Sequence, residues 1–180
     1  VAQVTRPVMG LDPSLTGTGV ALGLSLTSTI STKTTANTIP ARLARINRIV
    51  TAVCQVLPER ALVVIEGPSF GREQRGLAHL RAGLWWSLVG ELAAAGCSVV
   101  EVPPKTLKKF ATGSGAASKA DMRMAAFKRF GVDNPDDNQV DALWLREVGL
   151  HLLHDPDAID LPKAQRDAIE GLRVQLPTGE

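Results

Sequence analysis

The chain has 180 residues, 44% of them hydrophobic, and a formal net charge of +2. That length suits one domain with a buried core, and the near-neutral balance excludes a partner selected by global charge alone. The two cysteines, Cys54 and Cys97, lie far apart in apolar stretches without metal-ligand spacing, which argues against a zinc site and suits buried free thiols in a reducing compartment. No basic-then-apolar signal pattern opens the sequence, and no apolar run approaches the roughly 20 residues of a membrane span. A soluble, cytoplasmic chain with no membrane partner is expected.

Pro7 to Leu11 is a short apolar run that ends at Asp12 and meets a turn-rich stretch through Gly19. Val20 to Leu26 resumes as a strand and Ser28 to Thr35 reads as a third, which makes an antiparallel meander. Asp12 is thereby placed at the end of the first strand, beside a turn. Pro40 suits the first turn of a helix, where its missing N–H costs nothing. Leu43, Ile46, Val50, Val53 and Leu57 form that helix's apolar stripe. Arg42, Arg45 and Arg48 lie off it, and Pro58 ends it.

Ala61 to Ile65 is a continuous apolar run, the pattern of a central strand buried on both faces. It stops at Glu66, before Gly67 and Pro68. A carboxylate at such a strand tip is where α/β proteins tend to place chemistry. Gln74 to Ala95 reads as a long helix with a Leu77, Leu80, Leu84, Leu88 and Leu92 stripe, widened by Trp85 and Trp86 and ended by Gly96. Ser98 to Val102 is a further strand, closed by Pro103 and Pro104. Ser118 is an N-cap for a helix to Phe130 that Gly131 terminates. Asn134 and Pro135 open the last main helix, to about Leu153, with Val140, Leu143 or Trp144, and Val148 inward. Beyond Asp155 the prolines mark a peripheral extension, one short helix and a loose tail. The expectation is an α/β fold, a mixed five-stranded sheet with its first three strands antiparallel and helices on both faces, over residues 1–155, with 156–180 as the extension.

Asp12, Glu66 and Asp141 are the carboxylates at meaningful places. Brought together they repel, which raises their pKa values, and a divalent cation relieves the repulsion. All-oxygen ligation suits Mg²⁺ or Mn²⁺, and two such ions can clamp the attacking and leaving oxygens of a phosphodiester. Asp137 and Asn138 stand four and three residues before Asp141, on the same helical face, and either could complete the site. Asp136 complements the dipole of that helix.

Charge is segregated locally. Pro103 to Phe130 carries seven Lys and Arg against one acid, and Gly131 to Asp160 carries eight acids against one Arg. Lys105, Lys108, Lys109 and Lys119 flank a Gly-rich loop around Ser114, whose backbone N–H groups could approach a phosphate. Ser118 opens a helix whose N-terminus adds to this, and Arg123 follows on it. Phe70 lies in the loop after Glu66, where an aromatic could stack on an unpaired base, with Arg72 and Arg75 near enough for phosphates. Trp85, Trp86 and Trp144 belong to a core or a dimer interface. His79, His151 and His154 lack catalytic partner spacing and read as surface or packing residues.

Taken in order, Asp12-Pro13-Ser14-Leu15 with Thr18-Gly19, the Ile65-Glu66 strand end, the stretch from Val102 through Lys108, Gly113, Gly115 and Ser118-Lys119, and Asp141-Ala142-Leu143 resemble the RuvC family of Holliday junction resolvases, over about residues 8 to 150. The resemblance implies an RNase H-like fold and a homodimer that nicks two strands of four-way junctions, and other branched DNA, with Mg²⁺ or Mn²⁺. It places Asp12, Glu66 and Asp141 on the metal and Lys108 and Lys119 beside the scissile phosphate. Two departures stand out. Ser14 replaces the family's usual Gly, and Asn138 replaces an acid or a His, which leaves the fourth ligand open between Asn138 and Asp137. These departures suit a phage-type or divergent bacterial member. A non-catalytic branched-DNA binder and an RNase H-like enzyme acting on RNA are the competing readings. An actin-like ATPase, suggested by the first turn, needs a second comparable half for which the chain is too short.

Overall fold

The computed structural model of the protein describes residues 6–33, 36–68 and 77–175. Five strands form one sheet: β1 (Val8–Asp12), β2 (Gly17–Gly23), β3 (Leu26–Ser31), β4 (Leu62–Glu66) and β5 (Ser98–Val102). Their order is β3-β2-β1-β4-β5, with β1, β2 and β3 antiparallel and β4 and β5 parallel to β1. The expected mixed sheet is therefore present. The second strand begins three residues earlier than Val20, and the hairpin turn falls at Leu24 and Ser25. Gly17 and Gly19, read as turn residues, are strand residues.

Helices cover both faces: α1 (Ile39–Gln55) and α2 (Ala78–Ala94) on one, α3 (Pro104–Thr112), α4 (Lys119–Phe130) and α5 (Asp137–Leu152) on the other. Strand alternation divides the core between them. Met9, Leu11, Val63 and Ile65 pack toward α1 and α2; Val8, Leu62, Val64, Val100 and Val102 pack toward α3, α4 and α5. Period-two alternation then puts Asp12 and Glu66 on the second face, beneath α5.

Several elements differ from the sequence reading. The helix α1 starts at an N-cap Thr38 and buries Arg45, Ile49 and Val53, while Leu43 is exposed. Arg45 hides because its guanidinium donates to Thr32 Oγ1 (2.9 Å), so the stripe turns toward the end of β3. The helix α3 was not expected. The Pro103-Pro104 pair was read as a break, yet Pro103 sits at the N-cap and Pro104 in the first turn, where proline is tolerated. The helix α2 buries Leu84, Trp85, Leu88 and Leu92, but Leu77 and Trp86 face solvent. The segment beyond Asp155 is not peripheral. It forms α6 (Lys163–Arg166) and a 3-10 turn, and buries Leu161, Gln165 and Ile169 in the α3–α5 core. The buried Glu147 carboxylate accepts the Ile159 N–H (2.7 Å), Gln165 donates to Phe110 O (2.8 Å), and Gln175 bridges to Val99 on the edge strand β5. Cys97 is buried and Cys54 half-buried, both free. Among the described residues no helix is long and apolar enough to cross a membrane.

Candidate functional site

The site is built by close approach of α5 to the sheet. A Cβ on Gly19 would lie 2.0 Å from Asn138 O, and one on Gly10 would lie 1.9 Å from Ala142 O. Both contacts are with backbone, so only glycine lets the helix come this near. Farther along, a Cβ on Gly149 would meet Val8 Cγ1 at 2.4 Å. Since Gly19 pairs with Asp12, the N-terminus of α5 lies over the C-terminal ends of β1 and β4. Asp141, between the Asn138 and Ala142 contacts, is thereby brought to Asp12. Leu11 pairs with Ile65 in parallel register, which sets Asp12 and Glu66 side by side at adjacent strand tips.

The three carboxylates act on one another. Burial, then Glu66, raises Asp12 well above the usual carboxylate range. Burial, then Asp141, pushes Glu66 up to about 7, against opposing pulls from a shared hydrogen bond with Asp12 and from Lys108 and Lys119. Burial, then Asp12, pushes Asp141 up to about 7. This is the signature of buried acids crowded with too little counter-charge. Among the described residues, however, no group of three His, Cys, Asp or Glu side chains is gathered tightly enough to hold an ion as it stands. The donor set fits a hard divalent cation by chemistry, being all oxygen and short of positive charge; holding one requires the carboxylates to close further.

The two candidates for a fourth position face elsewhere. Asn138 Nδ2 donates to Asp136 Oδ1 (2.9 Å) and packs against Gly17 of β2. Asp137 Oδ2 lies 3.1 Å from Lys119 Nζ, and its Oδ1 lies 3.3 Å from Arg123 Nε. That Oδ1 is buried and makes no hydrogen bond, so the Arg123 contact is an ion pair without hydrogen-bond geometry. Asp136, expected to complement the dipole of α5, is its N-cap: it accepts from Asn138 N (2.9 Å) and from Thr29 Oγ1 (2.5 Å). Against the opposing effect of burial, these bonds hold its carboxyl low.

The turn after Asp12 needs no left-handed residue. Ser14 is not among the positive-φ positions; its N–H donates to Thr18 Oγ1 (3.1 Å) and its carbonyl accepts from the same hydroxyl (2.8 Å). The fully buried Thr18 does the work expected of a glycine at 14.

On the basic side, Lys108 on α3 and Lys119 at the start of α4 both act on Glu66 and Asp141, so the two lysines face the carboxylates. The hydrogen bond to Asp137 raises the Lys119 pKa, so it stays charged. Lys105, Lys109 and Arg123 are exposed on the same two helices. The Gly-rich loop is not an open phosphate cradle: the N–H groups of Gly113, Ser114, Ala116 and Ala117 are bonded to Lys109 O, Thr112 Oγ1, Ser114 Oγ and Ser114 O. Ser118 spends its side chain and N–H in a capping box with Asp121. Phe70, Arg72 and Arg75 lie outside the described residues.

Sequence reasoning missed Gly10, and it named Thr18 and Gly19 as motif residues without the turn-closing and close-approach roles they have here. The strand alternation carried the signal, since glycines on the carboxylate face of adjacent strands imply something pressed against them.

No protein-family model and no curated protein sequence matches the chain. Solved structures do match in fold. A Thermus thermophilus RuvC structure superposes with a TM-score of 0.63 at 22% identity, covering 85% of this chain and 98% of that one. T. thermophilus RuvC in complex with a Holliday junction substrate gives a TM-score of 0.62 at 19% identity, covering 87% and 99%. The fold of this chain resembles that of RuvC.

Proposed function

We propose that the chain is a divalent-metal-dependent endonuclease that hydrolyses phosphodiesters in branched DNA, four-way junctions above all. One observation carries the reading: Asp12 and Glu66, at the ends of the interior strands β1 and β4, crowd with Asp141 of α5, with Lys108 and Lys119 acting on them. Carboxylates destabilised in this way need a cation, and lysines beside them need an anion; a phosphodiester with its metal ions brings both.

Asp12, Glu66 and Asp141 would hold Mg²⁺ or Mn²⁺. The bound metal supplies Lewis-acid charge and lowers the pKa of a water. Without a cation, burial and mutual repulsion raise Glu66 and Asp141 to about 7, so a cation would compete with their protons. Lys108 and Lys119 orient the phosphate and neutralise its charge. Ser114 and Ser118 support the basic side structurally, through the loop and the cap they close. Phe70, Arg72 and Arg75 remain DNA-binding candidates from the sequence. In this reading the chain works as a homodimer, so that two such sites nick opposed strands, in recombination or repair.

The test is a Mg²⁺-dependent nicking assay on synthetic four-way, forked and RNA–DNA hybrid substrates. Paired nicks across the four-way junction, lost in Glu66→Gln, are the expected result. Junction binding without nicking at any metal concentration would make the chain a non-catalytic binder. Cutting confined to the hybrid would move it to RNA-directed chemistry.

A further inference from the structure

We propose that Asp137 is an internal stand-in for a phosphate: it occupies Lys119 and Arg123 in the free protein and must give them up when a polyanion arrives. The naming of DNA as that polyanion rests on the function proposed above; the competition itself does not.

The geometry is that of an occupied anion seat. Lys119 and Arg123 stand one turn apart on α4, and both converge on the single Asp137 carboxylate at the start of α5, at 3.1 and 3.3 Å. The cations are the accessible partners, with side chains 70% and 44% exposed, whereas Asp137 is 26% exposed and its Oδ1 is buried without a hydrogen bond. An incoming anion therefore reaches the cations from solvent without first moving the carboxylate. Exposed pairs of this kind hold weakly. A phosphate brings more charge and more acceptor oxygens, and wins such a contest.

Displacement has a consequence at the triad. Asp137 already acts unfavourably on the ionised form of Asp141. Once Lys119 and Arg123 turn to phosphate, the Asp137 charge stands uncompensated one helical turn before Asp141. The acidic cluster then has more need of a divalent cation than before. Anion binding on α4 and cation binding at the strand ends are thereby linked, and linkage is reciprocal.

A plain structural staple between α4 and α5 makes the opposite prediction for the same substitution. If Asp137 only tied the helices together, Asp137→Asn would loosen α4 and weaken anion binding. If it is a competitor, the substitution tightens anion binding. The experiment uses the full chain without metal and two probes, inorganic pyrophosphate and a synthetic four-way junction. Pyrophosphate is followed by amide chemical shifts of residues 118 to 123 in isotope-labelled protein, and the junction by fluorescence anisotropy. Asp133→Asn removes one exposed charge nearby and controls for net charge; Asp137→Glu tests rescue. Asp137→Asn is expected to tighten both probes about three- to tenfold, from two surface pairs released. Asp133→Asn should change them less than about twofold, and Asp137→Glu should return to the parent values. A thermal melt checks folding, with Asp137→Ser as the second variant. Pyrophosphate affinity unchanged or weakened in both folded variants overturns the proposal. Tightened pyrophosphate binding with no junction binding by any chain would uphold the seat and overturn the DNA reading instead.

Discussion

Replacing Asp141 with Asn should make the metal-free protein more stable above neutral pH while removing its activity. Burial and then Asp12 hold the Asp141 proton up to about 7, and burial and then Asp141 do the same for Glu66. In the unfolded chain both acids ionise near pH 4. Between those values the folded state binds more protons than the unfolded state, so stability falls as pH rises and levels off above about 7. From pH 5 to pH 7 each such group is worth at most about 3 kcal/mol. The two shifts share repulsions, so removing one acid should flatten the curve by about 2 kcal/mol. Starting at pH 5 leaves out Asp121, Asp136 and Asp167, whose lowered values act in the opposite direction at lower pH. The assay is urea unfolding in EDTA at pH 5, 6, 7 and 8 for the parent chain and Asp141→Asn. The difference between the two chains isolates the triad. The variant should be more stable at pH 8 by about 2 kcal/mol and nearly equal at pH 5, and Mg²⁺ should stabilise only the parent at pH 8. Parallel pH curves for the two chains would refute the claim that these acids are crowded with too little counter-charge.

Asp12→Asn and Glu66→Gln should each abolish nicking in Mg²⁺ while four-way junction binding, read by anisotropy, persists; retained nicking in either would remove that residue from the site. Lys108→Ala should weaken junction binding and lower the slope of log affinity against log salt by about 0.9, the value for one phosphate contact. An unchanged slope would place Lys108 off the DNA. Gly19→Ala forces a methyl to 2.0 Å from a backbone oxygen of α5 and should cost at least about 3 kcal/mol in urea unfolding. A change below about 1 kcal/mol would mean that α5 is not seated on β2 as described.

What the sequence disclosed and what it hid follow from how local each signal is. The strand tips at Asp12 and Glu66 were legible because an apolar run stops at an acid before turn-forming residues. The helix from Ser118 to Gly131 was legible because cap and stop are both local, and the capping box and the left-handed Gly131 are both present. The burial of Arg45 was not legible, because it depends on a partner at Thr32 that belongs to another element. The same holds for Glu147, whose burial is tolerated because the chain returns to offer the Ile159 N–H. The helix α3 was hidden by a local rule read one way only: a proline pair ends a strand, and equally begins a helix. Helical phase puts Asp137 one turn before Asp141, but it could not show that Lys119 and Arg123 engage the Asp137 carboxylate.

The glycines and the carboxylates belong to one argument. Gly10 and Gly19 strip side chains from the sheet where α5 crosses it, and the helix settles closer than any alanine would allow. That closeness is what presses Asp141 onto Asp12 and Glu66 and raises their protonation. A chain selected for stability alone would keep an apolar residue at 141, since its neighbours Val140, Ala142 and Leu143 are all buried. The fold instead spends tight packing on bringing like charges together. Such an arrangement is favourable only when something positive completes it, and on α4 Lys119 and Arg123 are already paired with Asp137. Asp137 keeps Lys119 partly engaged, so the repulsion at the strand ends is only partly relieved until anion and metal ions arrive together. The destabilised strand ends, the close helix and the occupied lysine are thus three expressions of one arrangement, and Asp141→Asn, Gly19→Ala and Asp137→Asn probe it from three sides.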